Sequence, residues 1–266
     1  MIQITGKNMK KLLSKTRAAA DRYGMLGQNE KIAVGVSGGK DSLMLLRLMA
    51  AMREFHPSHF ELTALCLDPC FGGTPSDYSG IEALCKELDV PLYIKRSRLG
   101  EIIFEERRES NPCSLCARMR RGILHNMALE SGCSRLALGH HMDDAAATFW
   151  MNLTAGSRID CFSPVTFLDR KGITLIRPMI FCRESEIRAA AARLHLPVMK
   201  SQCPADGCTA RTSAQMTLRD LERNYPGLTE RIIAAMQQGN IAGWGSGIFP
   251  EGNQEESSPR QGEKNS

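Results

Sequence analysis

Short apolar runs alternate with longer amphipathic stretches along most of the chain. The apolar runs predict buried strands at 32–36, 60–67, 91–95, 135–138 and 173–176, with a weaker one at 197–199. Apolar positions spaced three and four apart predict helices at 42–54, 79–89, 99–109, 115–131, 143–153, 184–194, 212–223 and 228–238. This alternation indicates an α/β fold, a doubly wound and mostly parallel sheet covered on both faces, with a helical C-terminal extension.

The chain divides into four predicted parts. Residues 1–24 are expected to form a basic helical arm, and residues 25–200 the sheet domain, into which a helix with a Cys-x-x-Cys motif is inserted. Residues 201–240 are expected to form a helical segment that carries a further cysteine. From 241 to 266 the sequence is Gly-rich and then polar, which predicts a disordered tail.

Charge is unevenly distributed, although the net charge is only +5. Over the first 22 residues, Asp21 alone opposes the basic side chains Lys7, Lys10, Lys11, Lys15, Arg17 and Arg22. Such an arm suits a polyanion, and a solvated charged face is the alternative.

Neither a membrane span nor a secretion signal is predicted. The longest apolar stretches fall short of the roughly 20 residues that cross a bilayer, and the N-terminus has no apolar signal core. A hydrophobic content of 42% over 266 residues is ordinary for a packed core. We therefore expect a cytoplasmic protein that does not contact a membrane.

A glycine-rich turn joins the first predicted strand to the next helix. Its residues are Ser37, Gly38, Gly39, Lys40, Asp41 and Ser42. Glycines permit the sharp turn, the helix start offers N–H donors, and Lys40 adds a cation, so the segment predicts a phosphate site. The Walker spacing is excluded because Val34 and Asp41 stand where it needs glycine and Ser or Thr. A turn that binds no ligand is the alternative.

Polar residues also follow two other predicted strands. Asp68 ends the second strand, and the fourth is followed by Gly139-His140-His141-Met142-Asp143-Asp144. Because ligands bind beyond the carboxyl ends of parallel strands, we expect these residues to share one site with the glycine-rich turn. A carboxylate there could hold Mg²⁺ near the phosphates of ATP, whereas a helix-capping role is the alternative for Asp143 and Asp144.

Three cysteines form a candidate metal site. Cys113 and Cys116 make a Cys-x-x-Cys motif at the start of a predicted helix, and Cys203 and Cys208 follow much later in the chain. Three thiolates would suit an iron–sulfur cluster with one open iron, and four, with Cys208 added, would suit structural zinc. A plain disulfide is a further alternative.

Taken in order, these motifs resemble the tRNA 2-thiocytidine synthetase (TtcA) family of PP-loop, or N-type, ATP pyrophosphatases in the adenine nucleotide α-hydrolase-like superfamily. The resemblance covers about residues 20–238 and is closest at 112–118, 120–124, 138–141, 176–178 and 182–184. It implies an enzyme that uses ATP to adenylate the C2 oxygen of a cytidine in the tRNA anticodon loop and then replaces that oxygen with sulfur.

The resemblance also implies roles for individual residues. ATP would be bound by Ser37, Gly38, Gly39, Lys40, Asp41, Ser42, Asp68, Gly139 and Asp144, of which Lys40, Asp41 and Asp144 would be catalytic, Asp144 with Mg²⁺. A 4Fe–4S cluster would be held by Cys113, Cys116 and Cys203. We expect Arg118, Arg120 and Arg121 to contact tRNA. The implied partners are tRNA, a cysteine desulfurase or other sulfur donor, and a second copy of the chain in a cytoplasmic homodimer.

Two departures from the family pattern bear on these roles. The family often has Glu or Gln where this chain has Ala147, and Cys203 and Cys208 are five positions apart rather than in a second Cys-x-x-Cys. The competing hypotheses are a thiolase for another tRNA base and a nucleotide-regulated iron–sulfur or zinc binding module without thiolation activity.

Overall fold

The computed structural model describes residues 7–106, 112–200, 202–203, 210–239 and 241–245. The strands are β1 (Lys31–Gly35), β2 (Glu61–Asp68), β3 (Leu92–Arg96), β4 (Arg135–Ala137), β5 (Val165–Leu168) and β6 (Ile173–Ile176). The helices are α1 (Lys7–Arg22), α2 (Lys40–Arg53), α3 (Ser79–Glu87), α4 (Leu99–Glu101), α5 (Pro112–Glu130), α6 (Met142–Thr154), α7 (Glu184–Arg193), α8 (Ala210–Asn224) and α9 (Leu228–Gln238). A 3₁₀ turn spans Phe71–Gly73, and a π-helical segment, Ile102–Glu106, continues α4.

The six strands form one sheet in the order β3-β2-β1-β4-β6-β5. Every neighbouring pair is parallel except β5 and β6, which run antiparallel. The predicted doubly wound, mostly parallel α/β fold is thus confirmed. Strand order reverses direction between β1 and β4, and in such sheets the crevice beyond the carboxyl ends of those two strands is where ligands bind.

Apolar residues of the central strands are buried on both faces of the sheet, because helices cover both. On one face α2 is buried at every residue from Ser42 to Met52. On the other, Met127 and Ala128 of α5 pack against Leu65 and Leu136 of the sheet. Continuous apolar runs therefore mark these strands more clearly than alternation would.

Two element predictions were wrong. Strand β5 was not predicted, since it is a short edge strand whose Phe167 is 61% exposed and which lacks the apolar run of a buried strand. Residues 197–199 were predicted as a strand but pair with none; Met199 instead donates its backbone N–H to Gly38. The helix predicted at 99–109 is present as α4 and its π-helical continuation as far as Glu106, and its end lies outside the described residues.

The predicted N-terminal arm packs on the sheet domain within the described residues. Leu12 and Ala19 of α1 are fully buried in the main core. Lys11 and Lys15 both form ion pairs with Glu186 of α7, so part of the basic charge of α1 is neutralised. A boundary at residue 24 stays a prediction, as does the boundary at 200.

The start of the predicted disordered tail is ordered, which corrects its boundary. Trp244 is fully buried and its indole N–H donates to the carbonyl of Phe162 across 3.0 Å. Burial of so large an aromatic surface outweighs the chain entropy that the neighbouring glycines favour. Residues 246–266 lie outside the described residues. No helix in the described part of the chain is long and apolar enough to cross a membrane.

Candidate nucleotide and cysteine site

The glycine-rich turn lies between the end of β1 and the start of α2, as the sequence predicted. The Ser42 hydroxyl accepts the backbone N–H of Ser37 across 3.1 Å and donates to the carbonyl of Gly39 across 2.9 Å. Ser42 therefore closes the loop on itself, and the first turn of α2 directs its N–H groups into the crevice. This is the arrangement that binds phosphate oxygens.

Two glycines are required by their surroundings. Gly38 has φ of +83°, and a Cβ there would lie 2.7 Å from the sulfur of Met199. A Cβ on Gly139, just beyond β4, would lie 3.2 Å from the backbone of Asp41 and Ser42. Gly38 is tight because the Met199 side chain packs against it, and Gly139 is tight because the backbone of α2 approaches it closely.

Lys40 is held between two carboxylates. Its ammonium lies 3.0 Å from Asp41 Oδ2 and 3.1 Å from Glu184 Oε1. Burial lowers the pKa of Lys40, but Asp41 and Glu184 outweigh it and the net pKa is raised, so the side chain stays cationic. Glu184 also binds Arg188 and Arg219 at 2.6 Å each. Sequence reasoning assigned no role to Glu184, which acts from a distant helix.

Asp41, Asp144 and His141 form an acidic cluster beside the loop. Asp144 Oδ2 accepts the backbone N–H of His141 across 3.1 Å and caps α6, which is the capping role considered for this residue. Burial raises the pKa of Asp144, and the negative charge of Asp41 raises it further. Asp41 Oδ1 is buried and accepts no hydrogen bond from the described residues. A buried carboxylate oxygen without a donor, next to a second carboxylate, suits Mg²⁺.

His140, next to His141 in the chain, is a neutral histidine. His140 packs against Phe162 with tilted rings whose centroids are 5.1 Å apart, and the Arg177 guanidinium lies 4.8 Å from the centroid of the Phe162 ring. Burial lowers the pKa of His140 to about 3, and the charge of Arg177 lowers it further. His140 therefore presents an uncharged imidazole to the crevice.

Asp68 is fully buried at the end of β2 and shapes a neighbouring loop. Its Oδ1 accepts the backbone N–H of Cys70 at 3.0 Å, and its Oδ2 accepts that of Ser76 at 2.9 Å. The Ser76 hydroxyl lies 3.1 Å from Asp68 Oδ1 and 3.3 Å from Gln202 Oε1, next to Cys203. Asp68, predicted as a nucleotide contact, is thus placed to organise the wall of the crevice.

Two adjoining cavities open at this edge of the sheet. The first, about 260 Å³, is lined by Gly35, Val36, Ser37, Asp41, Ser42, Leu67, Arg120, Leu124, Leu138, Gly139 and His140. The second, about 220 Å³, is lined by Ser37, Gly39, Leu67, Pro69, Phe71, Ser76, Tyr78, Arg120, Met199, Lys200, Gln202 and Cys203. Because Ser37, Leu67 and Arg120 line both, the phosphate loop and Cys203 belong to one continuous crevice.

The predicted cysteine trio is brought together beside this crevice. Burial raises the pKa of the Cys116 thiol, negative charge on Cys203 and Cys113 raises it further, and Arg120 opposes both. Cys116 thus lies within electrostatic reach of Cys113, Cys203 and Arg120. Among the described residues, no three His, Cys, Asp or Glu side chains are placed to hold a single metal ion. The three thiols therefore do not converge on one point.

The remaining predictions for this region concern a disulfide, Cys208 and three arginines of α5. No disulfide joins any two described cysteines, and Cys208 lies outside the described residues. Arg118 and Arg121 are exposed on α5, where RNA could reach them, whereas Arg120 lines both cavities. Contact of these arginines with tRNA stays a prediction.

The fold and the loop define an ATP-using α/β enzyme of the PP-loop class. The family model described as a PP-loop domain matches residues 4–204. The tRNA-cytidine(32) 2-sulfurtransferase of Geobacter metallireducens is 35% identical over 83% of this chain and 86% of its own length. That of Syntrophotalea carbinolica is 34% identical over 88% and 89%. The chain therefore belongs to the tRNA-cytidine(32) 2-sulfurtransferase family, which confirms the resemblance found in the sequence.

A solved structure is also similar over most of the chain. The U34-tRNA thiolase NcsA from Methanococcus maripaludis, determined with its 4Fe–4S cluster, superposes with a TM-score of 0.72. It is 27% identical and covers 87% of this chain and 78% of its own. The similarity extends beyond the sheet to most of the described elements.

Proposed function

We propose that the protein is an ATP-dependent, iron–sulfur-dependent tRNA thiolase that converts a cytidine of the anticodon loop, at position 32 as in its relatives' names, to 2-thiocytidine. One observation carries the proposal: the phosphate loop and Cys203 line adjoining cavities that share Arg120. ATP activates the C2 oxygen of the base and sulfur then attacks C2, so both steps must occur at the same position of one base. A continuous crevice supplied with both sets of groups permits this.

In the first step the chain's residues bind ATP and polarise its phosphates. The loop N–H groups and Lys40 bind phosphate oxygens, and Asp41 and Asp144 hold Mg²⁺. The C2 oxygen of the base attacks the α-phosphorus, the bond to the β-phosphate breaks, and pyrophosphate leaves. Lys40 is suited to this because it is held in place, cationic, by Asp41 and Glu184.

In the second step sulfur replaces the activated oxygen, and AMP leaves with that oxygen. Cys113, Cys116 and Cys203 would hold a 4Fe–4S cluster, which would supply an iron able to carry sulfur. Soft thiolates suit such a group, and Cys116 feels the charge of both Cys113 and Cys203. Arg120, between the thiols and the phosphate loop, places positive charge where AMP departs.

The second cavity is suited to an unpaired base. Phe71 and Tyr78 offer aromatic surface, and Lys200 a cation for the RNA backbone. We further propose that a cysteine desulfurase or other sulfur donor supplies the sulfur and that the enzyme acts as a homodimer.

The test combines pyrophosphate release with nucleoside mass spectrometry. We expect tRNA-dependent pyrophosphate release from purified protein, and loss of 2-thiocytidine in tRNA from a deletion strain. Loss of a thiolated uridine instead would favour the second candidate, a thiolase for another base, which the similarity to the U34-tRNA thiolase raises. No tRNA-dependent pyrophosphate release would favour a binding module without thiolation activity.

A further inference from the structure

Ala147, the residue that departs from the family pattern, lies at the interface between α6 and α8. Ala146 and Ala147 are fully buried and pack against Ala214 and Leu218 of α8. Small side chains on both helices allow close packing here. A Glu or Gln at 147 would need space that α8 occupies in this chain.

The same close packing brings a polar side chain of α8 to the acidic cluster. Gln215, next to Ala214, donates its amide N–H to Asp144 Oδ1 across 3.4 Å, at the long end of the hydrogen-bond range. The other oxygen of Asp144 accepts the backbone N–H of His141. Each oxygen of this carboxylate therefore has a donor, one from its own helix start and one from α8.

A second contact shows that α8 is aligned with the phosphate site. Arg219, one turn after Gln215 on the same helix face, binds Glu184 at 2.6 Å, and Glu184 binds Lys40 at 3.1 Å. One face of α8 thus reaches both the carboxylate and the lysine of the site. The Arg219–Glu184 ion pair is independent of the hydrogen bond made by Gln215.

We propose that Gln215 acts as a positioning residue that orients the Asp144 carboxylate for the Mg²⁺ of Mg–ATP. The inference rests on the proposed function, because it assigns Asp144 to that ion. Groups that hydrogen-bond a metal-binding carboxylate fix its orientation, and their loss weakens metal affinity about 10- to 100-fold. Since the 3.4 Å contact is long, we expect the lower end of that range.

The test measures affinity for Mn²⁺, which binds the same oxygen ligands and is visible by electron paramagnetic resonance. In the presence of ATP, we expect Gln215→Leu to bind Mn²⁺ about tenfold more weakly than the wild type. Binding of ATP without metal should not change. Gln237→Leu is the matched control, since Gln237 donates to the Tyr23 hydroxyl at 3.0 Å, outside the crevice. Equal Mn²⁺ affinity of Gln215→Leu and wild type would overturn the proposal.

Circular dichroism establishes that Gln215→Leu is folded, so that a change in its Mn²⁺ affinity reports on the site. Failure of the wild type itself to bind Mn²⁺ with ATP would instead count against the proposed function.

Discussion

Met199 donates its backbone N–H to the carbonyl oxygen of Gly38 across 2.9 Å. Gly38 belongs to the phosphate loop, and Met199 stands four residues before Cys203. The side chain of Met199 also fills the space beside Gly38, where a Cβ would lie 2.7 Å from its sulfur. The segment that carries Cys203 is therefore attached to the phosphate loop.

This attachment predicts a large effect of Gly38→Ala. The methyl group would meet Met199 and would force a non-glycine residue to φ of +83°, so we expect a loss of about 1–3 kcal/mol in the free energy of unfolding. We also expect weaker ATP binding. Urea denaturation and isothermal calorimetry measure the two effects.

Gly24→Ala is the control that separates the two causes. Gly24 has φ of +56°, but an added methyl group would have nothing within 4 Å, so this variant carries the backbone cost without the clash. We expect its destabilisation to be smaller, with unchanged affinity for ATP. Equal effects of the two variants on stability and binding would contradict the role given to Met199.

Glu184→Gln should destabilise the protein in a pH-dependent way. Burial raises the pKa of Glu184, but hydrogen bonds from Arg188 and Lys40 outweigh it and lower the pKa to about 2. A depressed pKa stabilises the fold above the ordinary value of 4.5, and this contribution is lost as pH falls towards 2. We expect a loss of about 3 kcal/mol at pH 7 that shrinks steadily below pH 4.5.

Denaturation of wild type and variant across pH measures this difference. Asp220→Asn is the control, because Asp220 pairs with Arg223 at 3.3 Å while both side chains are exposed. Such a pair is worth about 0–1 kcal/mol. A Glu184→Gln effect that does not change between pH 7 and pH 3 would show that the ion pairs are not its cause.

Asp68→Asn should loosen the wall of the second cavity. An amide presents a donor where the carboxylate accepts from Cys70 and Ser76, so one hydrogen bond is lost at a cost of about 1–3 kcal/mol. The loop would no longer hold Ser76 beside Gln202, and we expect faster alkylation of Cys203 by iodoacetamide. Mass spectrometry measures the rate at that residue.

Asp77→Asn is the matched control for Asp68→Asn. Asp77 lies in the same loop on the exposed surface, and its carboxylate accepts the backbone N–H of Ser79 at 2.9 Å. We expect no change in the alkylation rate of Cys203. An unchanged rate in Asp68→Asn would mean that this carboxylate does not organise the cavity wall.

Replacing any one cysteine of the trio should separate sulfur transfer from nucleotide binding. We expect Cys113→Ala, Cys116→Ala and Cys203→Ala to lose the absorbance near ~400 nm of an anaerobically reconstituted cluster. Thiolation should be lost with it, while ATP still binds. Cys133→Ala, at a buried position beneath α5, should keep the absorbance. Loss of ATP binding together with the absorbance would indicate that the trio is structural.

The local sequence was sufficient to predict the parts of the site that a single segment of the chain forms. The turn at 37–42 lies between a buried strand and a helix, and glycine, lysine and serine act there on their immediate neighbours. The buried strands were equally predictable, because helices on both faces of the sheet demand continuous apolar runs. Edge strand β5 was missed for the converse reason, since its exposed face leaves no such run.

By itself, then, the sequence determined the family, the sheet and the identity of the candidate groups. Only the tertiary structure decided how those groups meet. Glu184 forms an ion pair with Lys40, Gln215 donates a hydrogen bond to Asp144, and Arg120 lines one cavity with the phosphate loop and Cys203. Short-range order follows from neighbouring residues, whose preferences are visible in the chain. Contacts between distant helices depend on how every intervening element packs, and no local pattern records that.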